Sequence, residues 1–247
     1  MNFNRKNIIL TGLFSLVFSL LFSGEKQIKY GVGNKNFKLA SHESLLHSGI
    51  YNYGGFSYEF GDKFLKIVQF KVSNSNREIE LDLVYVSAAT TGNIYCDFAI
   101  KSISNKNMTN YVGLHVGNDF NLNFFPKIDD KNLLWFNQTF TGISFMNKYN
   151  FNSAKRIDFN MHIPILSYII FNRFDRLTGQ VPKNRLVNSY SGLIDKLFNA
   201  DTEIGYIFSK YGLNMGLYYQ FEVNRMSETI SNRITSKANS ISIRVIY

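Results

Sequence analysis

The sequence predicts an all-β protein, a closed antiparallel transmembrane β-barrel of about ten strands, within a range of about eight to twelve. Apolar and polar residues alternate from about residue 50 to the last residue, and a period of two indicates strands with one apolar and one polar face. Phe and Tyr are abundant, at 23 and 15, and only 3 Pro interrupt the chain. This aromatic enrichment favours strands over helices.

The first residues are typical of a cleaved secretory signal. Arg5 and Lys6 precede an apolar stretch at 8–22, and Ser23 and Gly24 follow it. A stretch of about 15 apolar residues is short for a spanning helix, which takes about 20. We therefore expect residues 1–23 to be a signal peptide, with an uncleaved N-terminal anchor as the alternative. Residues 24–47 lack clear alternation and are expected to form a periplasmic tail, a lumen plug or an extra strand, and the barrel is expected to occupy 48–247.

The clearest strand lies between Leu213 and Asn224. Its odd-numbered positions are apolar or aromatic, and its even-numbered positions are mostly polar. The segment is long enough to cross a bilayer, because a tilted strand needs about 9–11 residues. The same pattern, with more noise, predicts the full set of strands in chain order: 50–60, 63–73, 79–85, 93–101, 111–117, 133–149, 157–165, 201–209, 213–224 and 240–247.

The last predicted strand carries a family resemblance. Ile241, Ile243, Val245 and Tyr247 alternate with mostly polar neighbours, and the chain ends on the aromatic Tyr247. An alternating final strand that closes on an aromatic residue resembles the small outer-membrane β-barrel proteins of Gram-negative bacteria. The resemblance implies an outer-membrane location, outer-membrane lipid as the surroundings, and recognition of Tyr247 as a terminal insertion signal by the barrel insertion machinery. The usual final residue in that class is Phe, from which Tyr247 departs mildly.

Connection lengths provide a second test of the barrel. Outer-membrane barrels have short periplasmic turns and longer outer loops. From the C-terminus backwards, the long connections 225–238, 171–199 and 118–132 alternate with the short connections 210–212, 150–154 and 105–107. In the N-terminal half the alternation weakens, since 90–92 and 61–62 are predicted there as short outer turns.

If the apolar faces meet lipid, then the alternate faces line the lumen. An eight-stranded barrel is just filled by its side chains, and ten strands leave slightly more room. Charges of both signs are expected to pair there into a network that satisfies itself, or that lines a narrow path for ions or small solutes. The predicted lumen residues are Glu59, Lys71, Glu78, Glu80, Asp82, Asp97, Lys101, His115, Asp158, His162, Glu203, Glu222 and Arg244.

The sequence carries no motif for catalysis or for a cofactor. Ser144, Asp158 and His162 form a conceivable Ser/His/acid set, which would suit a membrane-embedded lipid acyl hydrolase or acyltransferase, but their spacing has no signature. The 4 His show no paired spacing and only Cys96 could supply sulfur, so we expect no metal site, no cofactor and no internal disulfide. Whether the protein is an enzyme stays open, with no catalytic activity as the expectation.

The remaining charge points to a membrane surface. The net charge is +9, or about +7 without Arg5 and Lys6, and it is spread along the chain rather than gathered into a nucleic-acid patch. A basic loop is an expected contact for lipopolysaccharide phosphates, since Arg pairs with phosphate through two hydrogen bonds; it contains Arg173, Arg176, Lys183 and Arg185. The leading expectation is therefore a structural or surface-interaction protein of the outer membrane, with a narrow channel or a lipid-modifying enzyme as alternatives.

Overall fold

The computed structural model describes residues 24–39, 46–79, 85–124, 133–171, 188–193, 197–210, 212–227 and 233–247. Within these residues the chain forms β-strands, and no helix is long and apolar enough to cross a bilayer. The strands are β1 (Glu25–Leu39), β2 (Leu46–Phe60), β3 (Phe64–Ile79), β4 (Tyr85–Ser104), β5 (Met108–Phe124), β6 (Leu133–Asn152), β7 (Lys155–Phe171), β8 (Asn188–Leu193), β9 (Leu197–Lys210), β10 (Leu213–Ser227) and β11 (Arg233–Ile246).

The strands form one closed antiparallel barrel. Each strand other than β8 and β9 pairs with both of its neighbours in sequence, and β1 pairs with β11 to close the ring. The short β8 and the longer β9 share one place in the ring, because β8 pairs with the end of β7 at 166–171 and β9 pairs with its start at 155–162. The described residues thus build a barrel of ten strand positions, which confirms the predicted fold class and strand count.

The faces of the barrel are the reverse of those in a water-soluble protein. On β11 the apolar Ile241 and Ile243 point outwards with 58% and 55% of their surfaces exposed, whereas Ser242 and Arg244 point inwards and are buried. The other strands repeat this arrangement, with large apolar residues on the outside and polar residues within. The prediction that the apolar side of each alternating segment faces outwards, and not into a second layer of protein, is confirmed.

β1 lies in the segment for which the sequence left three alternatives open. Its residues pair with β2 on one side and β11 on the other, so Glu25–Leu39 is a strand of the barrel wall. Ile28, Tyr30 and Val32 face outwards, but the next outward positions are Asn34 and Asn36. The apolar alternation therefore stops halfway along the strand, which is why the pattern alone did not reveal it.

One predicted feature of the N-terminal half was wrong, and another falls outside the described residues. β3 ends at Ile79 and β4 begins at Tyr85, so most of the predicted strand 79–85, with Glu80 and Asp82, lies outside the described residues. Residues 90–92, predicted as a turn, lie inside β4, where Thr91 faces Ser73 of β3. Threonine is β-branched and suits a strand interior, which outweighs the turn tendency of the neighbouring glycine.

The short connections lie at the end of the barrel where β1 begins and β11 ends. The backbone amide of Lys26 donates to the carbonyl of Tyr247 at 2.8 Å, and the amide of Tyr247 donates to the carbonyl of Lys26 at 2.9 Å. Tight turns at Gly61 and Gly212, with φ of 89° and 78°, lie at the same end. We call this the seam end. The turn at 61–62 was predicted for the opposite end, because the count back from the C-terminus included a separate strand at 79–85 between the strands that correspond to β3 and β4.

The opposite end carries the longer connections, 40–45, 80–84, 125–132, 172–187 and 228–232, whose residues lie outside the described part of the chain. We call it the loop end. Halfway along β7 the pairing partner changes, since His162 pairs with Asp201 of β9 whereas Leu166 pairs with Leu193 of β8. Pro164, which has no amide hydrogen to donate, occupies the change-over. This irregularity sets the position of His162 in the lumen.

Candidate functional site

The lumen at the seam end is crossed by two ion pairs. Arg156 of β7 reaches Glu25 of β1, with Nη2 3.1 Å from Oε1, and it also donates from Nη2 to Oδ2 of Asp158 at 3.0 Å. Lys148 of β6 pairs with Glu59 of β2. Three strand positions separate β7 from β1, and three separate β2 from β6. Both pairs therefore bridge opposite walls of the barrel.

The next layer is centred on the guanidinium of Arg244. It pairs with Glu203 and donates from Nη1 to Oε1 of Gln27 at 3.2 Å. Its Cζ lies 3.7 Å from the ring centroid of Tyr218, whose hydroxyl donates to Asp158 at 3.3 Å. A guanidinium that stacks on an aromatic face and pairs with a carboxylate is held rigidly. Arg244 and Tyr218 thus fill the lumen at this level.

A third bridge runs through Lys71. Its Nζ lies over the Tyr53 ring at 4.5 Å, pairs with Glu222 and donates to Oε1 of Gln220 at 3.4 Å. Nε2 of Gln220 in turn donates to both carboxylate oxygens of Asp201 at 3.0 Å. Because β3 and β10 are separated by three strand positions, the Lys71 side chain spans the barrel.

Two histidines and an aspartate meet beside Asp201. Nδ1 of His115 lies 2.7 Å and Nε2 of His162 lies 3.5 Å from the same oxygen, Oδ1 of Asp97. The two imidazole rings stack, with centroids 4.3 Å apart and an interplanar angle of 22°. Nδ1 of His162 lies 3.6 Å from Oδ2 of Asp201. We call Asp97, His115 and His162 the histidine cluster.

His115 and His162 of the histidine cluster line a cavity of about 70 Å³ in the half of the lumen towards the loop end. The remaining walls combine aromatic and apolar residues with polar ones that are already hydrogen-bonded, since Asn93 donates to Asp119 at 2.6 Å and Gln138 donates to Ser167 at 3.3 Å. This volume holds a few water molecules or a small ion rather than a drug-sized ligand. Among the described residues, the lumen thus holds a small cavity towards the loop end, and side-chain bridges fill it towards the seam end.

The structure brings most of the predicted lumen residues into this network. Asp97 joins His115 and His162, Glu203 joins Arg244, and Glu59, Lys71, Asp158 and Glu222 each take part in a bridge. Lys101 is placed differently, because it reaches Asp62 in an exposed turn at the seam end rather than the lumen interior. Glu80, Asp82, Arg173, Arg176, Lys183 and Arg185 lie outside the described residues.

Several bridging residues escaped the sequence analysis. Glu25 and Gln27 belong to the missed strand β1. Arg156 lies at the start of β7, just outside the predicted strand 157–165. Lys148 lies near the end of β6, inside the predicted strand 133–149, but it was not included among the predicted lumen residues. Asp201 starts a predicted strand, and its inward position was readable from the alternation with Glu203.

The structure does not bring Ser144, Asp158 and His162 together as a catalytic set. Ser144 is the backbone partner of His162 across β6 and β7, but its Oγ is fully buried without a hydrogen-bond partner among the described residues. The acids beside His162 are Asp97 and Asp201, whereas Asp158 bonds to Arg156 and Tyr218. This geometry does not activate a serine nucleophile, which needs its hydroxyl bonded to the histidine.

No family model and no curated protein matches the chain. Among solved structures it is similar to the outer membrane protease OmpT from Escherichia coli, at 7% identity and a TM-score of 0.48, over 91% of this chain and 95% of that one. It is similar to the beta domain of the Bordetella autotransporter BrkA, at 6% identity and 0.43, over 91% and 100%. The translocator domain of autotransporter NalP from Neisseria meningitidis gives 11% and 0.39, over 98% and 95%. The similarity is to outer-membrane barrels as a class and to no particular member.

Proposed function

We propose that this protein is an outer-membrane barrel whose lumen is sealed by its own side chains, and that it acts in structure or surface interaction rather than in solute passage. The apolar exterior supports placement in a lipid bilayer, since apolar residues on all sides of a closed sheet match hydrocarbon. The short turns, the start of β1 and the end of β11 lie together at the seam end, and this supports a periplasmic orientation of that end.

The observation that carries the sealed lumen is the stack of bridges between opposite walls. Glu25–Arg156, Glu59–Lys148 and Lys71–Glu222 each skip three strand positions, and Arg244 on Tyr218 fills the level between them. Opening a path for ions would require the charges in these pairs to separate inside a narrow lumen. An unpaired buried charge costs on the order of several kcal/mol. An ion therefore meets a closed barrier in the seam half.

Conductance across a planar lipid bilayer tests the seal. We expect no conductance steps from the purified full-length protein, and ion flow to appear when the bridges are shortened together in Lys71→Ala, Glu222→Ala, Lys148→Ala and Glu59→Ala. The matched control truncates the exposed pair, as Lys101→Ala with Asp62→Ala, and should stay silent. Stepwise conductance from the unsubstituted protein would refute the seal and favour the narrow channel.

The surface role rests on the loop end. We expect Arg173, Arg176, Lys183 and Arg185 to contact lipopolysaccharide phosphates, because they form a basic group in a long outer connection. Replacing all four with Gln should weaken binding to lipopolysaccharide micelles and leave binding to dephosphorylated lipopolysaccharide unchanged. The control replaces the same number of seam-end lysines: Lys26, Lys63, Lys106 and Lys155. Equal losses in both variants would indicate a general charge effect and no specific contact.

Export and insertion complete the proposal. A signal peptide at 1–23 and recognition of Tyr247 by the barrel insertion machinery would deliver the chain to the outer membrane. Tyr247 is exposed and continues the outward face of β11, so its side chain is available for recognition. In cells, Tyr247→Ala should lower the amount of folded protein in urea-washed outer membranes, and Tyr247→Phe should not. Equal yields from both variants would remove the terminal aromatic from the proposal.

A further inference from the structure

We propose that the histidine cluster of Asp97, His115 and His162 binds one divalent transition-metal ion, with Zn²⁺ as the favoured ion. Two imidazoles and a carboxylate are a ligand set that Zn²⁺ takes in proteins, where a fourth position stays open to water or substrate. The candidate ligand atoms all lie within 4.8 Å of one another, and all three residues are buried. This inference is independent of whether the lumen conducts.

The distances are close to those of a loaded site. Ligand bonds of about 2.0–2.2 Å in a tetrahedral arrangement place neighbouring ligand atoms about 3.4 Å apart. Nε2 of His162 already lies 3.5 Å from Oδ1 of Asp97, and Nδ1 of His115 lies 2.7 Å from that oxygen. The stacked rings must turn about their Cβ–Cγ bonds to direct both nitrogens at one ion, and this torsion is soft for histidine.

An unused oxygen supports a ligand at this position. Oδ2 of Asp97 is buried in a fully buried residue and has no hydrogen-bond partner among the described residues. A buried carboxylate oxygen without a partner is costly, and an ion that binds both oxygens of Asp97 removes that cost. Ser144 is the cross-strand neighbour of His162, and its buried Oγ also has no hydrogen-bond partner among the described residues.

The surroundings of His162 fit the outer shell of a metal site. A metal-bound histidine commonly donates its second nitrogen to a carboxylate, which fixes the ring and raises its basicity as a ligand. Nδ1 of His162 faces Asp201 at 3.6 Å, and Gln220 holds Asp201 through both oxygens. His115, His162 and Asp201 all line the cavity towards the loop end. An ion would therefore enter from that side, and its open position would face the cavity.

Zinc titration of the folded full-length protein in non-ionic detergent tests the site. All samples carry His42→Gln and His47→Gln, which removes the histidines outside the cluster, and the probe is Zn²⁺ in competition with a fluorescent chelator. We expect one saturable equivalent per chain. Asp97→Asn and His162→Gln should each weaken the affinity by about 100-fold or more, and Asp201→Asn by about 10–100-fold. Asp119→Asn, a buried lumen carboxylate outside the cluster, should leave it unchanged.

The outcomes separate cleanly. No saturable binding by the folded parent, or equal affinity in the cluster variants and in Asp119→Asn, would overturn the site. Folding of each variant is checked by its altered gel migration without boiling. If a cluster variant does not fold, Co²⁺ absorption of the parent decides: strong d–d bands of a four- or five-coordinate ion support the site, and the weak spectrum of six-coordinate aqueous Co²⁺ overturns it.

Discussion

The ion pair of Arg244 and Glu203 allows the energetics of the lumen to be measured directly. Arg244→Met keeps much of the side-chain volume but removes the pair, the hydrogen bond to Gln27 at 3.2 Å and the stacking on Tyr218 at 3.7 Å. Glu203 is then left buried without its ion-pair partner, and among the described residues it keeps a hydrogen bond from Asn160. Breaking a buried pair from one side costs about 3–5 kcal/mol.

Urea unfolding in lipid vesicles provides the assay, because Trp135 is the single tryptophan and reports folding by its fluorescence. We expect Arg244→Met to lower the free energy of unfolding by about 3–5 kcal/mol, and Arg244→Met with Glu203→Gln to recover most of that loss, since no isolated charge then remains. Lys101→Met, which breaks an exposed pair, should leave the urea midpoint unchanged. A double variant that is less stable than Arg244→Met would refute the reasoning.

Two further predictions concern the barrel wall. Gly142→Ala should destabilise the fold by about 1–3 kcal/mol, because the new methyl group would press on the carbonyl oxygen of Ile163, whereas Gly92→Ala, which meets open space, should change stability by no more than about 0.5 kcal/mol in the same unfolding assay. Ile241→Lys should cost about 2–4 kcal/mol if its outward face meets the bilayer centre, and Asn34→Lys, an outward position with a polar residue already, about 0–1 kcal/mol. Equal costs for the two lysines would argue against a lipid-facing exterior.

The strand pattern was predictable where the two faces differ strongly in polarity. At 213–224 and 240–247 the sequence indicated both the strand and the direction of its faces, because apolar residues stand at nearly every second position there. β1 was not predictable in this way, since Asn34 and Asn36 occupy outward positions in its second half. Alternation fails as a signal where a strand extends beyond the apolar belt.

The lumen composition was predictable, but the contacts within it were not. An inward position follows from parity alone, so Asp97, His115 and His162 could each be placed inside the barrel. Their meeting depends on the register of three strand pairs and on the change of partner along β7. Such offsets are set by turns and by bulges, such as the register shift between Thr141 and Gly142 opposite Pro164, and residues that contact each other through them show no paired spacing in the sequence.

The pairing of β1 with β11 determines how this chain can fold. Because the ring closes through its first and last strands, the closing contacts join residues almost the full chain length apart, as in Gln27 with Ile246. Contacts of this separation form last and slow the folding rate. Until they form, two strand edges stay open and can add a strand from another molecule. A partly formed barrel of this design therefore exposes two unpaired strand edges until β1 and β11 meet, and closing the ring removes both of them together.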